Sequence, residues 1–160
     1  MIKHICFDMD GTIANLYEVN NWLNRLRNKD YSVYADAAPM CDMTKVNELL
    51  TALRNNGIEI RVISWASKDA HSADELNAIE AVKREWLNKM GFNYDELYTI
   101  PYGTDKTLYS RFELEAGETA ILIDDDKRVR AEWDIGVAIN PIEIKIENIL
   151  KIILDNLLKV

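Results

Sequence analysis

The chain begins with a short apolar run, Ile2–Phe7, that passes directly into Asp8-Met9-Asp10-Gly11-Thr12. A run of that length reads as a strand, and the Asp and Gly behind it read as the turn that ends it. Two carboxylates spaced by one residue at the carboxyl end of a strand constrain the fold strongly. In open α/β sheets that end is where ligands bind. Packing negative charge there is unfavourable unless a cation shares the site. An Asp-Gly turn closing an ordinary strand is the plain alternative, so the rest of the chain has to discriminate.

Three further apolar runs are followed by residues able to do chemistry. Ile58–Ile63 ends at Ser64, the run around Leu97–Pro101 leads to Lys106, and Ala120–Ile123 ends at Asp124-Asp125-Asp126. Amphipathic helices separate them. One carries Val46, Leu49, Leu50 and Leu53 on a single face, with Thr44 expected as its N-cap and Gly57 just past its end. Ser72 and Glu75 predict a capping box for a longer helix striped with Leu76, Ile79, Val82, Trp86, Leu87 and Met90. A further helix is expected from about Asp105, and another through Val129 and Trp133, before a last strand at Val137–Ile139. This alternation predicts an α/β fold with a parallel sheet covered on both faces.

Two stretches stand apart. Residues 15–43 are the least regular: a short helix with Val19, Trp22, Leu23 and Leu26 precedes a segment containing Tyr31, Tyr34 and Pro39. The tail, Ile142–Val160, carries a wide stripe of Ile146, Ile149, Leu150, Ile153, Leu154, Leu157 and Leu158. That stripe is expected to pack on the sheet, with a dimer contact as the alternative.

Composition narrows the functional classes. The 160 residues suffice for one domain with a sizeable core. No apolar stretch reaches the roughly 18 residues of a membrane span. The N-terminus reads as a strand rather than a signal peptide. Cys6 and Cys41 make no disulfide framework, which fits a reducing cytoplasm. The net charge of −8 opposes the phosphate contacts that polymeric nucleic acid requires, which counts against a polymeric nucleic-acid partner without removing it. His4 and His71 lie in a strand and a polar loop with no further zinc ligands nearby, so neither is expected to bind metal.

The order strand-DxDGT, strand-Ser, Lys, strand-DD resembles the haloacid dehalogenase (HAD) superfamily of phosphotransferases over about residues 2–140. The resemblance implies a three-layer, Rossmann-like, doubly wound parallel sheet of order 3-2-1-4-5. It also implies a single domain over 1–160, with a small or absent cap built from the insertion at about 15–43. Asp8 would be the nucleophile that becomes an aspartyl-phosphate, and Asp10 the general acid and base. Mg²⁺ would be held by the Asp8 side chain, the Asp10 carbonyl and Asp124, with Asp125 in support. Ser64 and Lys106 would contact phosphate, and Gly11 and Thr12 would shape a loop whose backbone N–H groups face it. For Asp126 a solvated turn is the competing reading. Asp10 favours a phosphatase over a dehalogenase, which needs no such acid.

Local stretches narrow the resemblance. Asp8–Gly11, Thr104-Asp105-Lys106-Thr107 and Leu122–Asp125 are similar to the 5′(3′)-deoxyribonucleotidase family. The segment from Asp124 through Val129, Trp133 and Gly136-Val137 is similar to the phosphatase domain of bacteriophage polynucleotide kinase/3′-phosphatase. The first family carries a larger cap. The second has an Arg close behind its Ser, where this chain has Trp65-Ala66-Ser67. The expectation is a magnesium-dependent, 5′-nucleotidase-like phosphomonoesterase acting on a small phosphorylated substrate, as monomer or homodimer. A polynucleotide 3′-phosphatase-like enzyme and a non-catalytic phosphate-binding module are the alternatives. Tyr17, Trp22, Tyr31 or Tyr34 would offer a ring to a base, unless these rings pack the insertion onto the core.

Overall fold

The structure, a computed structural model, describes residues 1–159; Val160, the last residue of the tail stripe, lies outside them. Strands β1 (Ile2–Phe7), β4 (Glu59–Trp65), β5 (Glu96–Ile100), β6 (Thr119–Ile123) and β7 (Ala138–Ile139) form one five-stranded sheet in the order β5-β4-β1-β6-β7. Every pairing in it is parallel. Counting these strands alone, the order is the 3-2-1-4-5 that the resemblance implies. A separate ribbon pairs β2 (Ala14–Asn15) with β3 (Ala38–Pro39) antiparallel.

Helices α2 (Met43–Asn55), α3 (Ala73–Lys89) and α6 (Ile146–Leu157) bury their stripes with Ile5, Phe7, Ile60, Val62, Ile121 and Ile123 of the sheet. On the other face, Cys6, Ile63, Ala120 and Leu122 meet Val129 and Trp133 of α5 (Lys127–Glu132) and its end. The alternation of Ile5, Cys6 and Phe7 between these clusters is the period-2 geometry of a strand buried on both sides. The tail stripe lies in the first cluster through Ile146, Ile149, Leu150 and Ile153, as a sheet-packing helix should. Among the described residues no helix is long and apolar enough to cross a membrane.

Some boundaries differ from the sequence reading. Asp42, not Thr44, caps α2, accepting from the Lys45 amide at 3.2 Å. A carboxylate there satisfies an orphan N–H and complements the helix dipole. Ser72 caps α3 as expected, accepting from the Glu75 amide at 3.1 Å. The helix after Asp105 is only a turn, α4 (Leu108–Arg111). Strand β4 continues past Ile63 through Ser64 to Trp65, paired with β5 throughout. Between β1 and α2, α1 (Trp22–Arg27) and two 3₁₀ turns pack Leu16, Leu26, Val33 and Tyr34 against Ile79 of α3.

Candidate active site

The carboxyl ends of β1 and β6 bring Asp8 and Asp124 together, because these strands are hydrogen-bonded neighbours with Phe7 opposite Ile123. Lys106, from the loop between β5 and α4, reaches across to both. Its Nζ lies 2.7 Å from Asp8 Oδ1 and 2.7 Å from Asp124 Oδ2. All three side chains are buried. Carboxylate oxygens of Asp8, Asp124 and Asp125 lie within 4.8 Å of one another. Three carboxylates around one ammonium leave a formal charge of −2. That is the complement of a divalent cation, so this cluster fits a hard, oxygen-seeking ion.

The electrostatics are those of a crowded anionic cluster. Burial, followed by the charge of Asp8, pushes the Asp124 carboxyl up to about 7. The same causes push Asp125 up to about 6. Lys106 is held above its ordinary value because the attraction of Asp8 and Asp124 outweighs its desolvation. The loop is fixed from behind by Arg130, whose Nη1 donates to the backbone carbonyls of Asp124 at 2.9 Å and Asp125 at 2.7 Å. Asp126 takes the turn reading: its carboxylate caps α5, accepting from the amides of Arg128 and Val129.

The DxDGT turn is built around Met9, whose carbonyl accepts from the amides of Thr12, Ile13 and Ala14. Gly11 has φ +86°, and a Cβ there would meet Asp125 Oδ2 at 2.6 Å and Tyr17 at 2.7 Å. Glycine is therefore required twice over, for the left-handed backbone and for the space. Gly11 and Thr12 use their own backbone N–H groups inside the turn. Their amides are already given to the carbonyls of Ala14 at 2.8 Å and Met9 at 3.2 Å. Thr12 instead sets its hydroxyl 3.2 Å from Asp8 Oδ2 and 3.3 Å from Asp125 Oδ1, tying the two acidic loops together.

Asp10 and Ser64 form a second group, joined by a residue the sequence reading passed over. Lys83 of α3 is fully buried, and its Nζ lies 2.7 Å from Asp10 Oδ2, 2.7 Å from Ser64 Oγ and 3.0 Å from the Trp65 carbonyl. Burial raises the Asp10 pKa, and Lys83 opposes that rise. The signal was present: Lys83 stands four residues from both Ile79 and Leu87, on the apolar face of α3. A lysine in a core stripe needs anionic or carbonyl partners.

Asp8, Asp10, Lys106, Asp124 and Asp125 line a cavity of about 550 Å³ whose other lining residues include Tyr17, Trp22, Leu23, Trp65, Ser67 and Tyr102; Ser64 and Lys83 are buried outside that lining. Tyr17 and Trp22 form an edge-to-face pair at 5.0 Å, and Trp65 and Tyr102 a tilted pair at 4.9 Å. Of the other rings of the insertion, Tyr34 also lines the cavity, but both it and Tyr31 have partners on α3. Tyr34 is buried over Lys83, its centroid 4.5 Å from Nζ, and Tyr31 donates to Glu75 at 2.9 Å. His4 is a core residue, with Nδ1 2.7 Å from Ser110 Oγ.

No known family profile matches the chain, and no curated protein is detectably similar to it. Solved structures do resemble it. A chain of the Pnkp1/Rnl/Hen1 RNA repair complex superposes with a TM-score of 0.58 at 18% identity, over 87% of this chain and 42% of its own length. A chain from Mesorhizobium loti described as an HAD-like phosphatase superposes with a TM-score of 0.54 at 12% identity, over 86% of this chain and 69% of its own. This chain thus spans less than half the length of the first relative. At such identities the likeness is one of fold.

Proposed function

We propose that the chain is an HAD-type phosphomonoesterase that works through an aspartyl-phosphate on Asp8 and uses Mg²⁺. One observation carries the reading: Lys106 bridges Asp8 and Asp124, with Asp125 within reach of both. A nucleophilic carboxylate, a cation beside it and a site for a second cation are what attack on a phosphate dianion demands. Asp8, Asp124 and Asp125 would hold the ion, together with the Asp10 carbonyl. Bound there, Mg²⁺ would offset charge on the phosphate oxygens.

The chain's own groups do the rest. An Asp8 oxygen attacks phosphorus while the bond to the leaving oxygen breaks, and Asp10 gives that oxygen its proton. Water then attacks the phosphorus of the aspartyl-phosphate and loses its proton to Asp10, which frees Asp8. Lys106 stays protonated throughout and steadies Asp8 against the incoming anion. The amides of Met9 and Asp10, which no described residue accepts from, are the loop donors left for a phosphate oxygen.

A nucleotide is the substrate class the walls favour, because two aromatic pairs, each with an exposed Tyr beside a half-buried Trp, line the cavity with the acidic cluster and offer rings to a base. A terminal phosphate on a polynucleotide is the second reading, supported by the likeness to a chain of an RNA repair complex. The site is read as nearly uncapped, the insertion serving as one wall. Phosphate release from an aryl phosphate with magnesium, compared between wild type and Asp8→Asn, tests the reading; equal turnover would reject it. A panel of nucleoside monophosphates, sugar phosphates and 3′-phosphorylated oligonucleotides then separates the substrate classes.

A further inference from the structure

We infer that Lys83 is a positioning residue that sets both the acid–base carboxylate Asp10 and the hydroxyl of Ser64 for reaction. The inference rests on the phosphatase reading above and deepens it. An ammonium has three N–H donors and no acceptor. Lys83 has three acceptors at bonding distance: Asp10 Oδ2, Ser64 Oγ and the Trp65 carbonyl. Its side chain is fully buried, and the Tyr34 ring closes over Nζ at 4.5 Å. Nothing remains to donate to a substrate, so Lys83 acts through its partners.

The effect on each partner follows from the geometry. With Asp10 Oδ2 held by the ammonium, the other oxygen, Oδ1, is buried and has no partner among the described residues. An unpaired buried carboxylate oxygen is costly unless something else uses it. Oδ1 is thereby the oxygen assigned to carry the proton to the leaving group and to take one from water. Ser64 Oγ accepts from Lys83, which directs the hydroxyl's own proton away from Asp10 and toward another acceptor. That acceptor is assigned as an oxygen of a phosphate bound against Asp8 and Asp10, which line the cavity, while Ser64 itself is buried. Lys83 belongs to α3, whereas Asp10 lies in the loop after β1 and Ser64 within β4, so the helix sets the relative position of acid and phosphate donor.

Two substrates separate this role from simple structural support. A nitrophenyl phosphate loses a leaving group that departs unprotonated, whereas an alkyl phosphate needs the proton. General acid catalysis contributes ~10²–10⁴-fold. Single-turnover rates with saturating magnesium are therefore expected to fall by about 100-fold or more for the alkyl ester in Lys83→Met. The nitrophenyl ester should lose less than about 10-fold, since it forgoes only that assistance. Equal losses on both esters would overturn the inference and leave the phosphatase reading intact. Absence of turnover by the wild type on either ester would overturn both. Should Lys83→Met fail to fold, Asp10→Asn and Asp10→Asn/Lys83→Met are compared, since the double variant strands no buried charge. With the acid already removed, losing Lys83 should raise KM through Ser64 and change the rate by under about threefold, because residues acting as one unit are not additive. A further tenfold fall in rate in the double variant would refute the positioning role.

Discussion

Lys106→Met tests the charge balance at the site. The substitution keeps most of the apolar stem and removes the ammonium that lies 2.7 Å from both Asp8 and Asp124. These carboxylates then face each other and Asp125 with no cation between them, and the formal charge of the cluster goes from −2 to −3. Breaking a buried ion pair by removing one partner costs about 3–5 kcal/mol, because the remaining charge is stranded. For a chain of this size each kcal/mol corresponds to roughly 2–4 °C. Thermal unfolding in EDTA at pH 8 should therefore place the variant about 6–20 °C below wild type.

Magnesium reverses much of that loss. A divalent ion at about 100 times its Kd returns about 2.7 kcal/mol, and the variant's cluster is more negative, so its affinity for the ion should exceed that of wild type. Calorimetric titration measures this directly. Turnover should remain low, since the ammonium beside the nucleophile is gone. A variant as stable as wild type in EDTA, or one that binds magnesium more weakly, would refute the charge-balance argument.

Further expectations follow from the same geometry. Asp8→Asn should abolish turnover while leaving the fold intact, because the amide keeps the shape of a side chain whose role is nucleophilic; residual activity within tenfold of wild type, about 1.4 kcal/mol in barrier, would remove it from that role. In EDTA, the contribution of Asp124 and Asp125 to stability should rise as pH falls from about 7 toward 4, and comparison with Asp124→Asn/Asp125→Asn separates it from the opposite trend of buried His4, whose pKa is lowered. Asp124, at about 7, and Asp125, at about 6, bind protons more tightly folded than unfolded, so their contribution is present at low pH and lost as pH rises through those values. Saturating magnesium should flatten this trend by taking the protons' place, and denaturant unfolding across pH with and without the ion reads it. Gly11→Ala should weaken magnesium binding as well as stability, since its Cβ would displace the Asp125 carboxylate 2.6 Å away. Gly136→Ala should destabilise without that selectivity, because its Cβ would lie 2.0 Å from the Ala120 carbonyl, inside the sheet.

The sheet was legible in the sequence because strands buried on both faces read as unbroken apolar runs. Their ends were legible too: Asp8, Lys106 and Asp124 meet as the order of motifs predicts. Short elements escaped, since a single helical turn such as Leu108–Arg111 carries too few residues to show a period. The cap of α2 went to Thr44 rather than Asp42 because both residue types suit an N-cap and one residue separates them. Lys83 escaped for a different reason. A helical stripe is found by its apolar members, and a buried cation shows only as an interruption until its partners, at positions 10, 64 and 65, are known.

The insertion decides how the cavity can discriminate among substrates. Its rings are divided between two tasks by position along the chain. Tyr34 and Tyr31 are committed to α3, one over Lys83 and the other bonded to Glu75, and the Trp86 indole donates to the Ala37 carbonyl at 2.8 Å from the same helix. These contacts anchor the segment that carries Tyr17 and Trp22, which line the cavity and are more open than Tyr34. Removing Tyr34 should therefore act on chemistry, by loosening Lys83, whereas Trp22→Ala should act on binding. Aromatic–base stacking is worth about 1–3 kcal/mol, so Trp22→Ala should raise KM for a nucleoside monophosphate about 5- to 150-fold and leave a simple sugar phosphate unchanged. A uniform change across both substrates would mean that the ring supports the wall rather than reads a base.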